Sequence, residues 1–275
     1  MDTPFDPRPI GIFDSGIGGL TVLRAVAQRL PGESLIYLGD TARVPYGSKS
    51  PRTVARYTIQ VADFLLARGI KALVVACNTA SALGLEALGR HSPVPALGVI
   101  LPGARLAAGT TRNRQVGIIG TRSTIASGAY PRELTALDSL IRSHPLACPL
   151  FVPLAEEGWH HHPATRLIAT ESLQPLMAAG IDTLILGCTH YPLLAPVIAE
   201  VMGPEVTLID SARAVADALA GRIGPEIRPA PPGARPTRTL LATDVPDRFE
   251  EVARRFLELE ESGGLERVEM VDLQP

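Results

Sequence analysis

Short apolar runs rich in Val, Ile and Leu alternate along the chain with longer stretches of mixed polarity. Ile10–Phe13, Leu35–Leu38, Leu73–Val75, Val116–Ile119, Leu184–Leu186 and Val206–Ile209 are apolar at successive positions. Successive side chains of a strand point to opposite faces, so such runs predict strands covered on both sides. Between them, Leu20–Leu30, Thr53–Ala67 and Arg132–Leu140 carry the spacing of helices. Strands alternating with helices predict an α/β fold with mainly parallel sheets, whose reactive loops gather at the carboxyl ends of the strands. Charges at Arg68, Lys71 and Arg105 interrupt the longest apolar windows, well short of the ~20 residues of a membrane span.

The pattern also repeats. Lys71-Ala-Leu-Val-Val-Ala-Cys77-Asn78-Thr79 aligns with Asp182-Thr-Leu-Ile-Leu-Gly-Cys188-Thr189-His190, 111 positions later. Ile10-Gly-Ile-Phe-Asp14-Ser15 aligns with Val116-Gly-Ile-Ile-Gly120-Thr121, 106 positions later. Two nearly equal offsets in the same order predict two similar α/β domains, pseudo-symmetric about a site between them. The proline-rich stretch Pro225–Pro236 predicts a loop. After it come a strand at Thr239–Thr243 and an amphipathic helix at Asp247–Leu259. This tail has no counterpart in the middle of the chain and is expected to pack on one of the halves.

Composition narrows the function. The 275 residues are 46% apolar, which excludes intrinsic disorder. Twenty-six basic residues against 28 acidic ones leave no basic excess, and only 4% are aromatic, so nucleic acid is not an expected partner. Cys77, Cys148 and Cys188 are too few for a disulfide framework and suit a reducing cytoplasm. Residues 1–9 show no charged-then-apolar leader, so a cytoplasmic protein is expected.

The candidate chemistry lies at the repeat. Cys77 and Cys188 each end a buried strand at equivalent positions and are followed by polar residues: Asn78 and Thr79, Thr189 and His190. If the halves face each other, the two thiols approach one pocket from opposite sides. One group then removes a proton and the other returns a proton to the far face, which is what inversion at an α-carbon requires. His190 is placed to tune the Cys188 thiol or bind a carboxylate, and Asp14 to play the matching part near Cys77. Glycines at positions 16, 18 and 19 permit close backbone approach to a small anion, but their spacing is not that of a dinucleotide or Walker loop. Val44-Pro45-Tyr46-Gly47-Ser48 reads as a turn with an exposed tyrosine that covers the site. Cys148 has no repeat partner and reads as packing. Three adjacent histidines, His160 to His162, cannot all face inward and read as an exposed loop rather than a metal site. A pyridoxal phosphate enzyme needs a Schiff-base lysine. Only Lys49, in a loop, and Lys71, at the start of a strand, are available. No cofactor and no metal are therefore expected.

Gly11-Ile-Phe-Asp14-Ser15-Gly-Ile-Gly-Gly19, Pro45-Tyr46-Gly47, Ala76-Cys77-Asn78-Thr79-Ala80 and Gly187-Cys188-Thr189-His190-Tyr191-Pro192 together resemble the bacterial glutamate racemases. The resemblance runs from about residue 10 to the segment Arg267-Val-Glu-Met-Val-Asp-Leu273. It implies cofactor-independent interconversion of L- and D-glutamate for peptidoglycan precursors. In that scheme Cys77 takes the α-proton of D-glutamate and Cys188 that of L-glutamate, with Asp14 and His190 assisting. It further implies that Asp14, Ser15, Tyr46, Gly47, Asn78, Thr79, Thr121, Thr124, Thr189 and His190 hold the substrate. A family glutamate maps to Glu156, with Glu157 as the neighbouring register. The implied domains are residues 1–99 plus 213–275 and residues 100–212. The expected partner is the small-molecule substrate, with a homodimer within the family's range. An aspartate or hydantoin racemase, or a non-catalytic amino-acid-binding module, remain the alternatives. A cysteine hydrolase would leave the second thiol without a role.

Overall fold

The computed structural model describes residues 4–245, 249–258 and 268–273. The chain begins with β1 (Ile10–Asp14), α1 (Leu20–Arg29), β2 (Leu35–Gly39), α2 (Pro51–Ala67), β3 (Ala72–Val75), α3 (Asn78–His91) and β4 (Ala96–Gly98). It continues with α4 (Ile100–Thr110), β5 (Gln115–Gly120), α5 (Arg122–Ala126), α6 (Ala129–Leu137), β6 (Arg142–Ala147), α7 (Phe151–Glu156) and α8 (Pro163–Ala178). Then come β7 (Thr183–Gly187), α9 (Ala195–Met202), β8 (Thr207–Asp210), α10 (Ser211–Ala220), β9 (Arg238–Ala242), α11 (Phe249–Leu257) and β10 (Val268–Met270).

Two parallel sheets result. The first has the order β10-β9-β2-β1-β3-β4 and the second β6-β5-β7-β8. Within each, the first strand in sequence is flanked by the second and the third. The order β2-β1-β3-β4 is thus repeated as β6-β5-β7-β8, as the two sequence offsets predict. All residues of β1, β2, β3 and β7 are buried, because helices cover both faces. Where the chain leaves the first strand in opposite directions, the carboxyl ends form a crevice suited to ligands. Asp14 ends β1 and Cys77 follows β3; Gly120 ends β5 and Cys188 follows β7. Symmetry therefore brings both thiols to corresponding crevices.

Three strands have no counterpart among the expected ones; one is β10, three residues paired in parallel with β9 at the sheet edge. β4 is only three residues long, and β6 is an edge strand with mostly half-exposed side chains and a proline at position 145. Neither presents a continuous apolar run, so neither carries the periodic signal. The helix expected at Arg132–Leu140 begins earlier, at Ala129, where Gly128 adopts φ +63° as its N-cap. The proline-rich stretch forms a loop, and β9 adds to the free edge of β2 in parallel, Tyr37 opposite Leu240. Of the expected tail helix, Asp247 and Leu259 lie outside the described residues, as does Arg267. The described part, α11, buries Phe249, Ala253 and Phe256 in the same core as Leu20, Val22 and Leu23 of α1. Asp210 caps α10 by accepting from the Ala212 N–H at 2.8 Å, so the expected boundary at 212/213 falls inside that helix.

Lys71 opens β3 at the amino end of the sheet. Its ammonium is buried against the Glu33 carboxylate at 2.6 Å and donates to the carbonyls of Asp6 and Arg228, each at 2.9 Å. This pairing ties the amino-terminal segment and the proline-rich loop to the sheet.

Candidate active site

Cys77 occupies the N-cap of α3, and its sulfur accepts the Ala80 N–H at 3.4 Å. The Ser15 hydroxyl lies 3.4 Å from the same sulfur. Burial pushes the thiol up to about 12, with the Asp14 charge adding to the rise and the Ser15 and Ala80 bonds opposing it. Cys77 therefore rests as a protonated thiol at neutral pH.

Cys188 faces a different group. Its sulfur is 3.8 Å from Nδ1 of His190, whose Nε2 is 2.7 Å from a Glu156 carboxylate oxygen. Burial alone pulls an imidazolium down. Here the Cys188 sulfur and the Glu156 carboxylate outweigh it and push His190 up to about 10. The hydrogen bond selects Glu156 over Glu157 as the partner of His190. Asp14, fully buried, accepts from the Gly16 N–H at 3.1 Å and the Thr189 hydroxyl at 3.4 Å. Burial raises its pKa, while His190 and these donors act against the rise.

Both sulfurs line one cavity of about 400 Å³, within the range of small-molecule sites. Of the expected residues, Ser15, Tyr46, Gly47, Cys77, Asn78, Thr79, Thr121, Glu156, Cys188, Thr189 and His190 line it. Asp14 and Thr124 do not. Asp14 supports the floor, and Thr124 sits behind the wall, its hydroxyl 3.0 Å from those of both Thr79 and Thr121. Thr79 and Thr121 are also 3.0 Å apart, so this triad joins α3 to the N-terminal end of α5. The buried Asn78 amide accepts from Tyr130 Oη at 2.7 Å, leaving its Nδ2 without a partner among the described residues. An unpaired buried donor beside a cavity is a ready group for a ligand carboxylate.

Tyr46 corrects one expectation: it is buried, 1% exposed, and its hydroxyl donates to Asp40. The turn folds inward because Asp40 accepts the phenol and the Tyr57 ring packs against it at 5.6 Å. Its neighbour Gly47 sits against Thr121, where a Cβ would come within 2.7 Å, and the Ser123 hydroxyl donates to the Gly47 carbonyl at 2.8 Å. The turn thus closes the cavity by backbone contact rather than by an exposed ring.

The sequence reading misses Arg122, Pro149, Val152 and Pro153 in the lining, and Tyr130 behind Asn78. Arg122, between Thr121 and Thr124, had a positional signal; the apolar wall from α7 had none. Cys148 stays outside the cavity, buried, its carbonyl accepting the Tyr191 hydroxyl at 2.8 Å. The His160–His162 segment is a surface turn in which Nδ1 of His162 caps α8 by accepting the Ala164 N–H. Among the described residues no group of three His, Cys, Asp or Glu side chains is arranged to hold a metal, and no helix is long and apolar enough to cross a membrane.

The chain is similar to known proteins over nearly its whole length. The sequence profile of the Asp/Glu/Hydantoin racemase family matches residues 12–219. A glutamate racemase of Syntrophus aciditrophicus is 49% identical over 263 residues, covering 96% of this chain and 97% of that protein. One from Geobacter metallireducens is 52% identical over 254 residues, covering 91% and 93%. The crystal structure of Francisella tularensis glutamate racemase in complex with D-glutamate superposes with a TM-score of 0.89 at 36% identity, covering 97% of this chain and 98% of that one. Two thiols at equivalent strand ends, with these relatives over nearly the whole length, make the chain a member of the Asp/Glu/hydantoin racemase family, in its glutamate racemase branch.

Proposed function

We propose that the protein interconverts L- and D-glutamate by two-base catalysis without a cofactor, supplying D-glutamate for peptidoglycan precursors. The observation that carries this reading is the pair of thiols, Cys77 and Cys188, lining one cavity from the equivalent strand ends of two repeated sheets.

In the L-to-D direction, Cys188 as thiolate takes the α-proton, and Cys77 as thiol gives its proton to the opposite face. Cys188 is left as a thiol and Cys77 as a thiolate, and exchange with solvent or the reverse reaction resets them. The charge pattern suits this direction: Cys77 is held protonated, whereas Cys188 adjoins the His190 imidazolium. In the D-to-L direction the roles exchange, with Asp14 placed to act beside Cys77 as His190 acts beside Cys188. Negative charge that develops on the substrate carboxylate meets Asn78 Nδ2, a buried donor without a partner among the described residues, and the adjacent Thr79 hydroxyl. Ser15, Tyr46, Gly47, Thr121, Thr189 and Glu156 complete the binding set, and Thr124 holds Thr79 and Thr121 from behind the wall. A lysine-bound cofactor has no suitable anchor, since Lys71 is engaged by Glu33 and Lys49 does not line the cavity.

The reading includes a division into residues 1–99 plus 213–275 and 100–212, a cytoplasmic location and a homodimer. Cell fractionation and sedimentation test the last two. The activity itself is tested by polarimetry of purified protein with L-glutamate, D-glutamate and L-aspartate, no pyridoxal phosphate being added. Loss of rotation with both glutamates and not with aspartate is expected. Racemisation of aspartate in preference would overturn the substrate, and inertness toward all three would overturn the activity.

A further inference from the structure

The tail helix α11 belongs to the core of the first sheet, yet two of its side chains reach the residues that surround Cys188. Phe256, fully buried, meets the His190 ring edge-on, with centroids 5.2 Å apart and planes at 83°. Next to it, Arg255 Nη1 donates to the Glu156 carbonyl at 2.6 Å, while its Nη2 pairs with the Glu251 carboxylate on the same helix. Gly158 (φ +72°), two residues beyond Glu156, makes room for the guanidinium: a Cβ there would lie 2.9 Å from Arg255 Nη1. The Gly18 backbone also closes on His190 so tightly that a Cβ would meet Nδ1 at 2.5 Å. His190 and Glu156 sit on elements of the second sheet's half, whereas α11 belongs to the core of the first sheet and Gly18 lies between its β1 and α1.

We infer that Arg255 and Phe256 are positioning residues for the proposed reaction: α11 braces Glu156 and His190 from across the interface and so aligns the imidazole with Cys188. This rests on the two-thiol reading above. Three features of the geometry carry it. Arg255 fixes the last turn of α7, where Glu156 sits. Phe256 restricts rotation of the imidazole about its own axis. A ring held perpendicular to the imidazole also competes for neither ring nitrogen, which leaves Nδ1 for Cys188 and Nε2 for Glu156. The charged and titratable groups around His190 are Cys188, Glu156 and Asp14, with Arg255 behind Glu156.

The test compares Arg255→Ala, Arg255→Lys, Phe256→Leu and, as a control on the same helix, Glu250→Ala, which breaks only the exposed pairing with Arg254. Steady-state kinetics across pH 6–10.5 and thermal melts are measured on the full chain. The His190 ring is titrated by NMR in the absence of substrate, a readout independent of turnover. For Arg255→Ala and Phe256→Leu the expected result is a kcat lowered about tenfold with KM within about twofold, and a His190 titration moved down by half a pH unit or more. Arg255→Lys should recover part of both, and Glu250→Ala should match the wild type. An unchanged His190 titration in the folded variants overturns the proposal, even where kcat falls with melting temperature. A shifted titration in a protein that racemises nothing would instead leave the brace standing and overturn the two-thiol reading.

Discussion

Cys77 is pushed up to about 12 by burial and the Asp14 charge, whereas Cys188 adjoins a histidine raised to about 10 and paired with Glu156. The repeat makes the two thiols equivalent in position, and their neighbours differ, a carboxylate beside one and an imidazole paired with Glu156 beside the other. Two-base inversion needs both. Cys77→Ser and Cys188→Ser should therefore each lower racemisation by ~10²–10⁴, the usual worth of an acid/base group, with glutamate binding retained. Polarimetry and isothermal titration would check this, and a Cys77→Ser enzyme as fast as wild type would contradict it. His190 also links to stability. Its folded pKa lies above the ordinary 6.5, so its contribution is fully present below pH 6.5 and is lost as pH rises through about 10. The urea midpoint of wild type should exceed that of His190→Gln most at pH 6, and the gap should narrow by pH 10. The cysteines, His190 and Asp14 were legible because a repeat marks them. Tyr130, Arg255 and Phe256 were not, since they act through a partner that only folding brings near.

At the scale of elements, burial decides what can be read. β1, β2, β3 and β7 are covered on both faces, so their sequences are unbroken apolar runs. β6 lies at a sheet edge, where a proline and polar side chains cost little, and its pattern is correspondingly silent. The turn at 44–48 was recognisable as a turn, yet the direction of Tyr46 depends on Asp40 and Tyr57, which adjacent sequence does not reveal. Close backbone contact matters most at Gly18, where a Cβ would lie 2.4 Å from the Thr189 hydroxyl and 2.5 Å from His190 Nδ1. Gly18→Ala must shift one of them. It should destabilise the fold by ~1–3 kcal/mol, as overpacking does, and lower kcat/KM at least about tenfold. Denaturant melts and initial rates would check both, and a variant with wild-type rates would mean that His190 yields without consequence.

Over the whole molecule, one strand order occurs twice, and the tail extends only the first sheet. Two sequence offsets carry the duplication, because insertions between the repeats are small. Assembly of the first half depends on a long-range pairing no local pattern shows: Lys71 with Glu33, side chains 1% and 5% exposed, beside the carbonyls of Asp6 and Arg228. Lys71→Met leaves Glu33 as an uncompensated buried charge, which typically costs ~3–5 kcal/mol. Since the pair lies at the opposite end of β3 from Cys77, kcat below the melting transition should stay at the wild-type value. Calorimetry with parallel rate measurements would show a lowered melting temperature at constant kcat, and a comparable loss of kcat would contradict that separation.

The central claim is that two thiols exchange the α-proton of one bound amino acid from opposite faces. Proton NMR of L-glutamate incubated with the enzyme in D₂O, without added cofactor, tests it most directly. The account predicts that the α-proton signal disappears as D-glutamate forms, that the product carries deuterium, and that L-aspartate keeps its proton. Conversion to D-glutamate with the α-proton retained would contradict exchange through two thiols, and persistence of the signal with no conversion would contradict the activity itself.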